Sequence, residues 1–217
     1  MFDEFEIELE TNNPLIGKLN YITRLKELLK EIYKNYQLMI KNKIIVSKTE
    51  NKIRDILVDD YLSKNIKNYT FEKEIDNNLG RVDIFIQESI SNEEAEFIIE
   101  CKLLNNKNIN GKDGLNGKYI TNGIQRFLTE HYYLENAFNT NIMIGFIVEK
   151  IDIISNIEAI NRLSEKIFKN MVEIIQPIKL DDKFIYKSSY QTGKPQKNFE
   201  LYHLMMDFSK NITITTK

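Results

Sequence analysis

The segment 97–104, Phe-Ile-Ile-Glu-Cys-Lys-Leu-Leu, limits what this chain can fold into more than any other part of the sequence. Read as a strand, it carries apolar side chains on both faces, which is typical of a central strand that is buried on both sides. Glu100 and Lys102 interrupt one of these faces and lie side by side on it. A buried charge without a partner or ligand is unfavourable by several kcal/mol. The segment therefore predicts a central strand with a charged site on one face.

The two charges also have a simpler explanation. In that alternative, Glu100 and Lys102 form a solvent-exposed ion pair on an edge strand and contribute about 0–1 kcal/mol to stability. Ile98 and Leu104 share the face of the two charged residues, and such apolar neighbours favour the buried site over the exposed pair.

The remaining periodicities predict an α/β fold, a mixed sheet flanked by helices with a helical pair at the N-terminus. The predicted order of elements is ααβββαβαββ. Helices are predicted over 15–40, 47–62, 118–134 and 153–175, and strands over 69–75, 81–87, 96–104, 141–148, 183–189 and 199–208. The apolar stripes of the first, second and last helices are Leu19, Ile22, Leu25, Leu28, Leu29, Ile32 and Tyr33; Ile53, Ile56, Leu57 and Tyr61; and Ile157, Ile160, Leu163, Ile167 and Met171.

Polar segments predict the connections between these elements. The segment 77–80, Asn-Asn-Leu-Gly, predicts a hairpin turn between the first two strands, because Asn and Gly tolerate the positive φ that such turns need. The segment 193–195, Gly-Lys-Pro, predicts a turn before the last strand. The segment 105–117 is rich in Asn, Lys and Gly and too poor in apolar residues to pack, so it predicts a loop.

The length of 217 residues suits a single domain, and no linker divides the sequence. We expect an N-terminal helical extension over 1–45, a catalytic core over 46–150, and a C-terminal helix and strands over 151–217. The formal charge of −2 requires any nucleic-acid site to be local. Cys101 is the single cysteine, which excludes a disulfide framework and a multi-cysteine zinc site. Because the N-terminus is acidic and no long apolar run is present, we expect a cytoplasmic protein without a membrane partner.

A third charged residue joins the pair from the neighbouring strand. Asp83 and Phe85 share one face of the second predicted strand. If the second and third strands pair, Asp83 and Glu100 converge within a few ångströms and provide hard oxygen ligands for Mg²⁺ or Mn²⁺. Lys102 would then orient or deprotonate an attacking water, or stabilise charge that develops on phosphorus.

Asp83 followed by Glu100-Cys101-Lys102 resembles the PD-(D/E)xK motif of the restriction-endonuclease-like nucleases. The hairpin and the following strand fit the βββ order of that family, and the resemblance covers roughly residues 45–150. It implies a restriction-endonuclease-like fold. It also implies that Asp83 and Glu100 are metal ligands, that the backbone carbonyl of Cys101 is a further ligand, and that Lys102 is the catalytic lysine.

Some residues depart from the family pattern or lie outside it. Val82 stands where the name of the motif has proline, as in many members of the superfamily. Thr129 stands where the exonuclease branch has tyrosine, which weakens an exonuclease assignment. The side chain of Cys101 is expected to be a buried apolar thiol. His131 and His203 lack metal-ligand spacing and are expected to be structural.

Glu50 has two interpretations, and the sequence leaves both open. Many nucleases of this family carry a glutamate on the helix before the first strand, and Glu50 lies in line with the stripe of the second helix that faces the sheet. It would then be a catalytic residue that holds a second metal ion or positions water. Alternatively, the segment 47–50, Ser-Lys-Thr-Glu, matches a capping box in which the serine caps the helix and the glutamate returns to its amide.

Four basic residues are candidates for nucleic-acid binding. Lys107, Lys112 and Lys118 flank the predicted site from the polar loop. Arg126 lies on the predicted helix that, in this family, commonly lines the nucleic-acid groove. In the alternative interpretation, all four are exposed charges that serve solubility.

The resemblance implies a metal-dependent nuclease that hydrolyses phosphodiester bonds in DNA, an endonuclease with a restriction or antiviral defence role. It implies Mg²⁺ or Mn²⁺ as the cofactor, DNA as the partner and a homodimer for double-strand cleavage. A partner protein that controls activity is a further expectation for a small acidic nuclease. Two alternatives stay open: a nuclease for RNA or for branched or single-stranded DNA, and a non-catalytic nucleic-acid-binding module on the same scaffold.

Overall fold

The structure, a computed structural model, describes residues 14–77, 80–89, 95–129, 138–169, 171–180, 185–192 and 197–213. The helices are α1 (Pro14–Lys41), α2 (Glu50–Asp55), α3 (Ser63–Asn65), α4 (Leu115–Tyr119), α5 (Gln125–Leu128) and α6 (Ile153–Ile167), with π-helical turns at Ile56–Leu62 and Ile120–Ile124. The strands are β1 (Tyr69–Asn77), β2 (Gly80–Glu88), β3 (Glu96–Leu104), β4 (Thr140–Ile147), β5 (Met171–Pro177), β6 (Ile185–Thr192) and β7 (Lys197–Asp207).

The seven strands form one mixed sheet in the order β1-β2-β3-β4-β7-β6-β5. The pairs β3–β4 and β4–β7 are parallel, and the other neighbours are antiparallel. All of β4 and nearly all of β3 are buried. The prediction that 97–104 is a central strand is therefore confirmed, and Glu100 and Lys102 are not on an edge.

Helices cover both faces of the sheet. On one face, α1, α2 and the first π-helical turn pack against the sheet through residues that include Leu29, Ile53 and Leu57. On the other face, the segment from α4 to α5 and helix α6 pack through residues that include Ile124 and Ile160. The mixed sheet flanked by helices is thus as predicted, and the face that carries Glu100 and Lys102 is the face covered by α4, α5 and α6. Among the residues with described placement, no helix combines the length and apolar character needed to cross a bilayer.

The prediction of a helix over 153–175 is wrong in its last third. Helix α6 ends at Ile167, and Met171–Pro177 forms the edge strand β5, so Met171 belongs to a strand and not to the helical stripe. The amide of Asn161 on α6 donates to the carbonyl of Ile175 and accepts from its N–H, both at 2.9 Å. The β-branched residues of 172–175 suit a strand, and pairing with β6 overrides the helical period of the local sequence.

Other boundaries differ less. Leu19 is 67% exposed, because it lies about 100° around α1 from the centre of the buried stripe. The loop after β3 ends at Gly114, since α4 begins at Leu115. The predicted helix over 118–134 is observed as far as Leu128. Residues 130–137 with His131, the predicted 193–195 turn and the tip of the 77–80 turn lie outside the described residues.

A fully buried polar chain joins α4, β6 and β7. The His203 ring lies between the Tyr119 hydroxyl at Nδ1 and the Ser188 hydroxyl at Nε2, each at 2.8 Å. All three residues are completely buried. Such a satisfied network specifies packing in the core, which agrees with the structural role expected for His203.

This network predicts an acid-sensitive fold. Burial lowers the pKa of His203 from 6.5 to about 3, so between these values the unfolded chain binds more protons than the folded one. The free energy of unfolding should therefore fall with decreasing pH, by up to about 1.4 kcal/mol per pH unit from this residue. Urea denaturation of wild type and His203→Gln at about pH 7 and about pH 5 measures the effect. If His203→Gln lost as much stability as wild type on acidification, His203 would not be the source of the acid sensitivity.

Candidate active site

The site forms where β2 and β3 part. Their pairing ends at Ile84 and Ile99, one residue before Asp83 and Glu100 would face each other. Asp83 instead turns its carboxylate to β3, and Oδ2 accepts the N–H of Cys101 at 2.8 Å. A carboxylate thus replaces the neighbouring strand as the partner of this buried amide.

Glu50 likewise accepts a hydrogen bond from a backbone amide of β3, at Leu103. It is the first residue of α2, and its Oε2 accepts the N–H of Leu103 at 3.1 Å. The fork between β2 and β3 is therefore filled by two carboxylates from different elements. Each of them keeps an oxygen that is not bonded to a β3 amide, which leaves it available to a cation.

The ammonium group of Lys102 lies at the centre of this arrangement. Its Nζ donates to Glu100 Oε1 and to the carbonyl of Cys101, both at 2.5 Å. It also lies 3.4 Å from Glu50 Oε1 and 3.5 Å from Asp83 Oδ2. Four oxygen atoms from four residues thus surround one cation, and we call these residues, together with Lys102, the carboxylate cluster.

Burial strengthens the electrostatic interactions among the charged groups of this cluster. Glu100 is completely buried, and Asp83 and Lys102 are each 8% exposed. Burial by itself would lower the pKa of Lys102, but the charges of Glu100, Asp83 and Glu50 outweigh it and raise the pKa above its ordinary value. Burial also raises the pKa of Glu50, and Lys102 opposes that shift. The lysine is therefore held protonated by carboxylates that themselves need a cation.

The opposite wall of the cluster comes from α5, which carries Arg126, and from the π-helical turn before it, which carries Gly123. Arg126 donates to Glu100 Oε1 at 2.8 Å, while its side chain is 38% exposed. Gly123 lets this turn approach closely, because a Cβ atom there would lie 2.5 Å from Cε of Met143 and 3.5 Å from Cγ of Lys102. Arg126 thus links the cluster to the protein surface.

Arg54 is a member of the site that the sequence analysis missed. It is 2% exposed, and its NH1 lies 3.6 Å from Asp83 Oδ1. The rest of its guanidinium bonds Asp55 and Glu74. Glu74 lies opposite Asp83 in the β1–β2 hairpin and has a φ of 56°, in the left-handed region. The available signal was the spacing of Arg54 four residues after Glu50, which places both on one helix face.

The structure excludes one of the two interpretations of Glu50. The N-cap of α2 is Thr49 and makes no side-chain cap bond, and the hydroxyl of Ser47 is buried without a hydrogen-bond partner among the described residues. The capping-box interpretation is therefore wrong. Glu50 reaches β3 because the helix begins at Glu50 and not at Ser47, which turns its first side chain toward the fork.

The three predicted loop lysines lie apart from the cluster. Lys107, Lys112 and Lys118 are exposed, and among the described contacts none of them bonds to a cluster residue. The ammonium of Lys107 lies 3.8 Å from Glu149. The thiol of Cys101 is buried, as predicted, and burial raises its pKa well above the ordinary value.

The donor set of the cluster has the chemistry that hard divalent cations prefer. Asp83, Glu100 and the carbonyl of Cys101 offer anionic and neutral oxygen atoms, with Glu50 beside them. Across the described ranges, no three or more His, Cys, Asp or Glu side chains are grouped as metal ligands. The oxygen atoms converge on the Lys102 ammonium instead, so a metal ion at this point requires Lys102 to move aside.

No family model, curated protein or solved structure matches this chain. The geometry of the carboxylate cluster, together with its resemblance to a known motif, is accordingly the basis for a functional assignment.

Proposed function

We propose that this protein is a metal-dependent nuclease that hydrolyses phosphodiester bonds in DNA, with its active site at the carboxylate cluster. The observation that carries the proposal is the convergence of four oxygen atoms, from Glu50, Asp83, Glu100 and Cys101, on the Nζ of Lys102. A structural ion pair needs one carboxylate for one lysine. Here three carboxylates surround one buried ammonium, and Arg126 at Glu100 and Arg54 at Asp83 supply the remaining positive charge. Carboxylate oxygen atoms gathered at one point are the ligands that hard divalent cations take in proteins.

The residues of the cluster would divide the chemistry as follows. Asp83, Glu100 and the Cys101 carbonyl would hold Mg²⁺ or Mn²⁺, which stabilises negative charge on a phosphodiester when bound. Lys102 would donate a proton or a hydrogen bond to the developing charge, or align the attacking water. Glu50, anchored by Leu103 N–H, would accept a hydrogen bond from that water.

Two further residues would support these groups. Arg54 approaches Asp83 Oδ1 from the buried side, so it would fix the orientation of this carboxylate. Arg126 donates to Glu100 and is partly exposed, so it could exchange this contact for a phosphate when substrate arrives. A restriction-endonuclease-like fold, a homodimer and a role in host defence are parts of the same proposal.

Cleavage assays with several substrates test the proposal. Supercoiled plasmid, linear duplex, single-stranded DNA and RNA are each incubated with Mg²⁺, Mn²⁺ or EDTA. We expect nicking of DNA with either metal, none with EDTA, and at least a hundredfold loss in Asp83→Asn. Asp60→Asn, an exposed helical aspartate, is the matched control and should cleave like wild type. Preferential cleavage of RNA would change the substrate, and cleavage unaffected by Asp83→Asn would refute the site.

A further inference from the structure

A second polar feature lies beside the carboxylate cluster, at the carboxyl ends of β3, β4 and β7. Here a cleft of about 930 Å³ is lined by residues that include Lys48, Asn106, Glu149, Lys150, Ser209 and Lys210. We call it the lysine cleft. Its lining comes from the segments that follow α1, β3, β4 and β7.

Backbone hydrogen bonds fix these segments to one another. Val46 donates to the carbonyl of Asn211 at 2.8 Å and accepts from Thr213 at 3.0 Å. The N–H of Val148 donates to Leu104 at 3.0 Å, next to the start of the loop that carries Asn106. The cleft is therefore a formed part of the fold, and its lysines project from anchored backbone.

The charge of the cleft is opposite to that of the whole chain. Its lining has three lysines and one glutamate, a difference of 3 − 1 = +2, whereas the chain carries −2. Glu149 is already shared by Lys48 at 2.8 Å and Lys107 at 3.8 Å. Within the described part of the chain, Lys150 and Lys210 are exposed and have no ion-pair partner. The cleft thus offers two uncompensated cations to an anion.

The neutral groups of the cleft also suit a phosphate ligand. Asn106 and Ser209 provide an amide and a hydroxyl, which are common donors to phosphate oxygen atoms. The hydroxyl of Ser47, also in the lining, is buried without a hydrogen-bond partner among the described residues. Buried polar groups normally have a partner, so this hydroxyl points to a ligand as the missing acceptor or donor.

The position of the cleft ties it to the carboxylate cluster. Lys48 precedes Glu50 by two residues, so their Cα atoms are at most about 7 Å apart. Asn106 follows Lys102 by four residues. An extended polyanion with one anionic group at the cluster would therefore place another anionic group, only a few repeat units along its chain, in the lysine cleft.

We propose that the lysine cleft binds backbone phosphates of the nucleic-acid strand that flank the bond cleaved at the carboxylate cluster. This inference rests on the proposed function and extends it, because it assigns Lys48, Lys150 and Lys210 as substrate-binding residues. A concave cleft with mainly polar donors fits a phosphate backbone better than a membrane surface, which needs an exposed apolar face beside its basic residues.

Fluorescence anisotropy of a labelled short DNA duplex in EDTA tests the inference without cleavage. The double variant Lys150→Glu/Lys210→Glu is compared with Lys26→Glu/Lys166→Glu, which makes the same charge change on the exposed faces of α1 and α6. We expect the cleft variant to bind at least tenfold more weakly than the control variant. The slope of log K against log salt concentration should be shallower by about 2, since each lysine–phosphate contact contributes about 1.

The outcomes separate this inference from the proposed function. If both double variants bind DNA equally weakly, or if wild type does not bind DNA, the role of the cleft in phosphate binding is overturned. Wild type that binds through the cleft but cleaves no substrate supports the cleft and refutes the nuclease. If wild type cleaves DNA and the cleft variant binds DNA as tightly as the control variant, the nuclease proposal is supported and the role of the cleft is overturned.

Discussion

Replacing Lys102 by methionine should reduce the rate of metal-dependent cleavage by about 10²–10⁴-fold, because a positioned proton donor or hydrogen-bond donor typically contributes that much. The substitution should not reduce metal affinity. In the structure the ammonium occupies the point where Glu50, Asp83 and Glu100 converge, so its removal eliminates a competing cation. Single-turnover cleavage at saturating Mn²⁺, with Mn²⁺ binding by calorimetry on the same sample, measures both quantities.

Lys166→Met is the control for this experiment, since it removes an exposed lysine from α6. It should leave cleavage and metal binding unchanged. If Lys102→Met lost metal binding together with cleavage, Lys102 would be needed to build the site, and its assignment as a chemical participant would be wrong. If the variant kept the wild-type rate, the lysine would have no part in the reaction.

The same substitution should destabilise the metal-free protein by about 3–5 kcal/mol, because removal of one partner from a buried ionic cluster leaves uncompensated charge. Glu100 is fully buried and Asp83 is 8% exposed, so water cannot replace the lost ammonium. Mg²⁺ or Mn²⁺ should restore much of the loss; a ligand at one hundred times its Kd contributes about 2.7 kcal/mol. Urea denaturation with and without metal measures both effects.

Lys187→Met supplies the matched comparison. Lys187 pairs with Glu200 at 2.6 Å, but both side chains are about a quarter exposed. Removing such a partly exposed pair should cost about 0–1 kcal/mol, and metal should not restore it. Metal that stabilises both variants to the same extent would show that it binds elsewhere on the fold.

The central strand could be predicted from the sequence because burial on both faces leaves a direct pattern. From Phe97 to Leu104 in β3, apolar residues occupy both alternating sets, and only Glu100 and Lys102 break them. Asp83 could be placed near them because β2 and β3 follow each other closely in the sequence and are expected to pair, as they do. These features depend on periods of two residues and on short connections, which are local properties of a chain.

Other features depend on distant contacts that leave little local trace. The segment Met171–Pro177 continues a helical period, yet it pairs with β6 as a strand. Arg54 of α2 meets Glu74 of β1 and Asp83 of β2 only when these elements are packed together. The lysine cleft combines residues 47–48, 106, 149–150 and 209–210, which come together only when the strands between them are in place.

The most direct test of the account is single-turnover cleavage of a labelled DNA duplex as a function of Mn²⁺ concentration, for wild type and Glu100→Gln. We expect no cleavage in EDTA, a saturable rise with Mn²⁺ in wild type, and no recovery of Glu100→Gln at saturating metal. Glu100 is fully buried between Lys102 and Arg126, so the variant changes the centre of the cluster and not its surface. Cleavage that persists in EDTA, or that Glu100→Gln retains, would contradict the assignment of the carboxylate cluster as a metal-dependent active site.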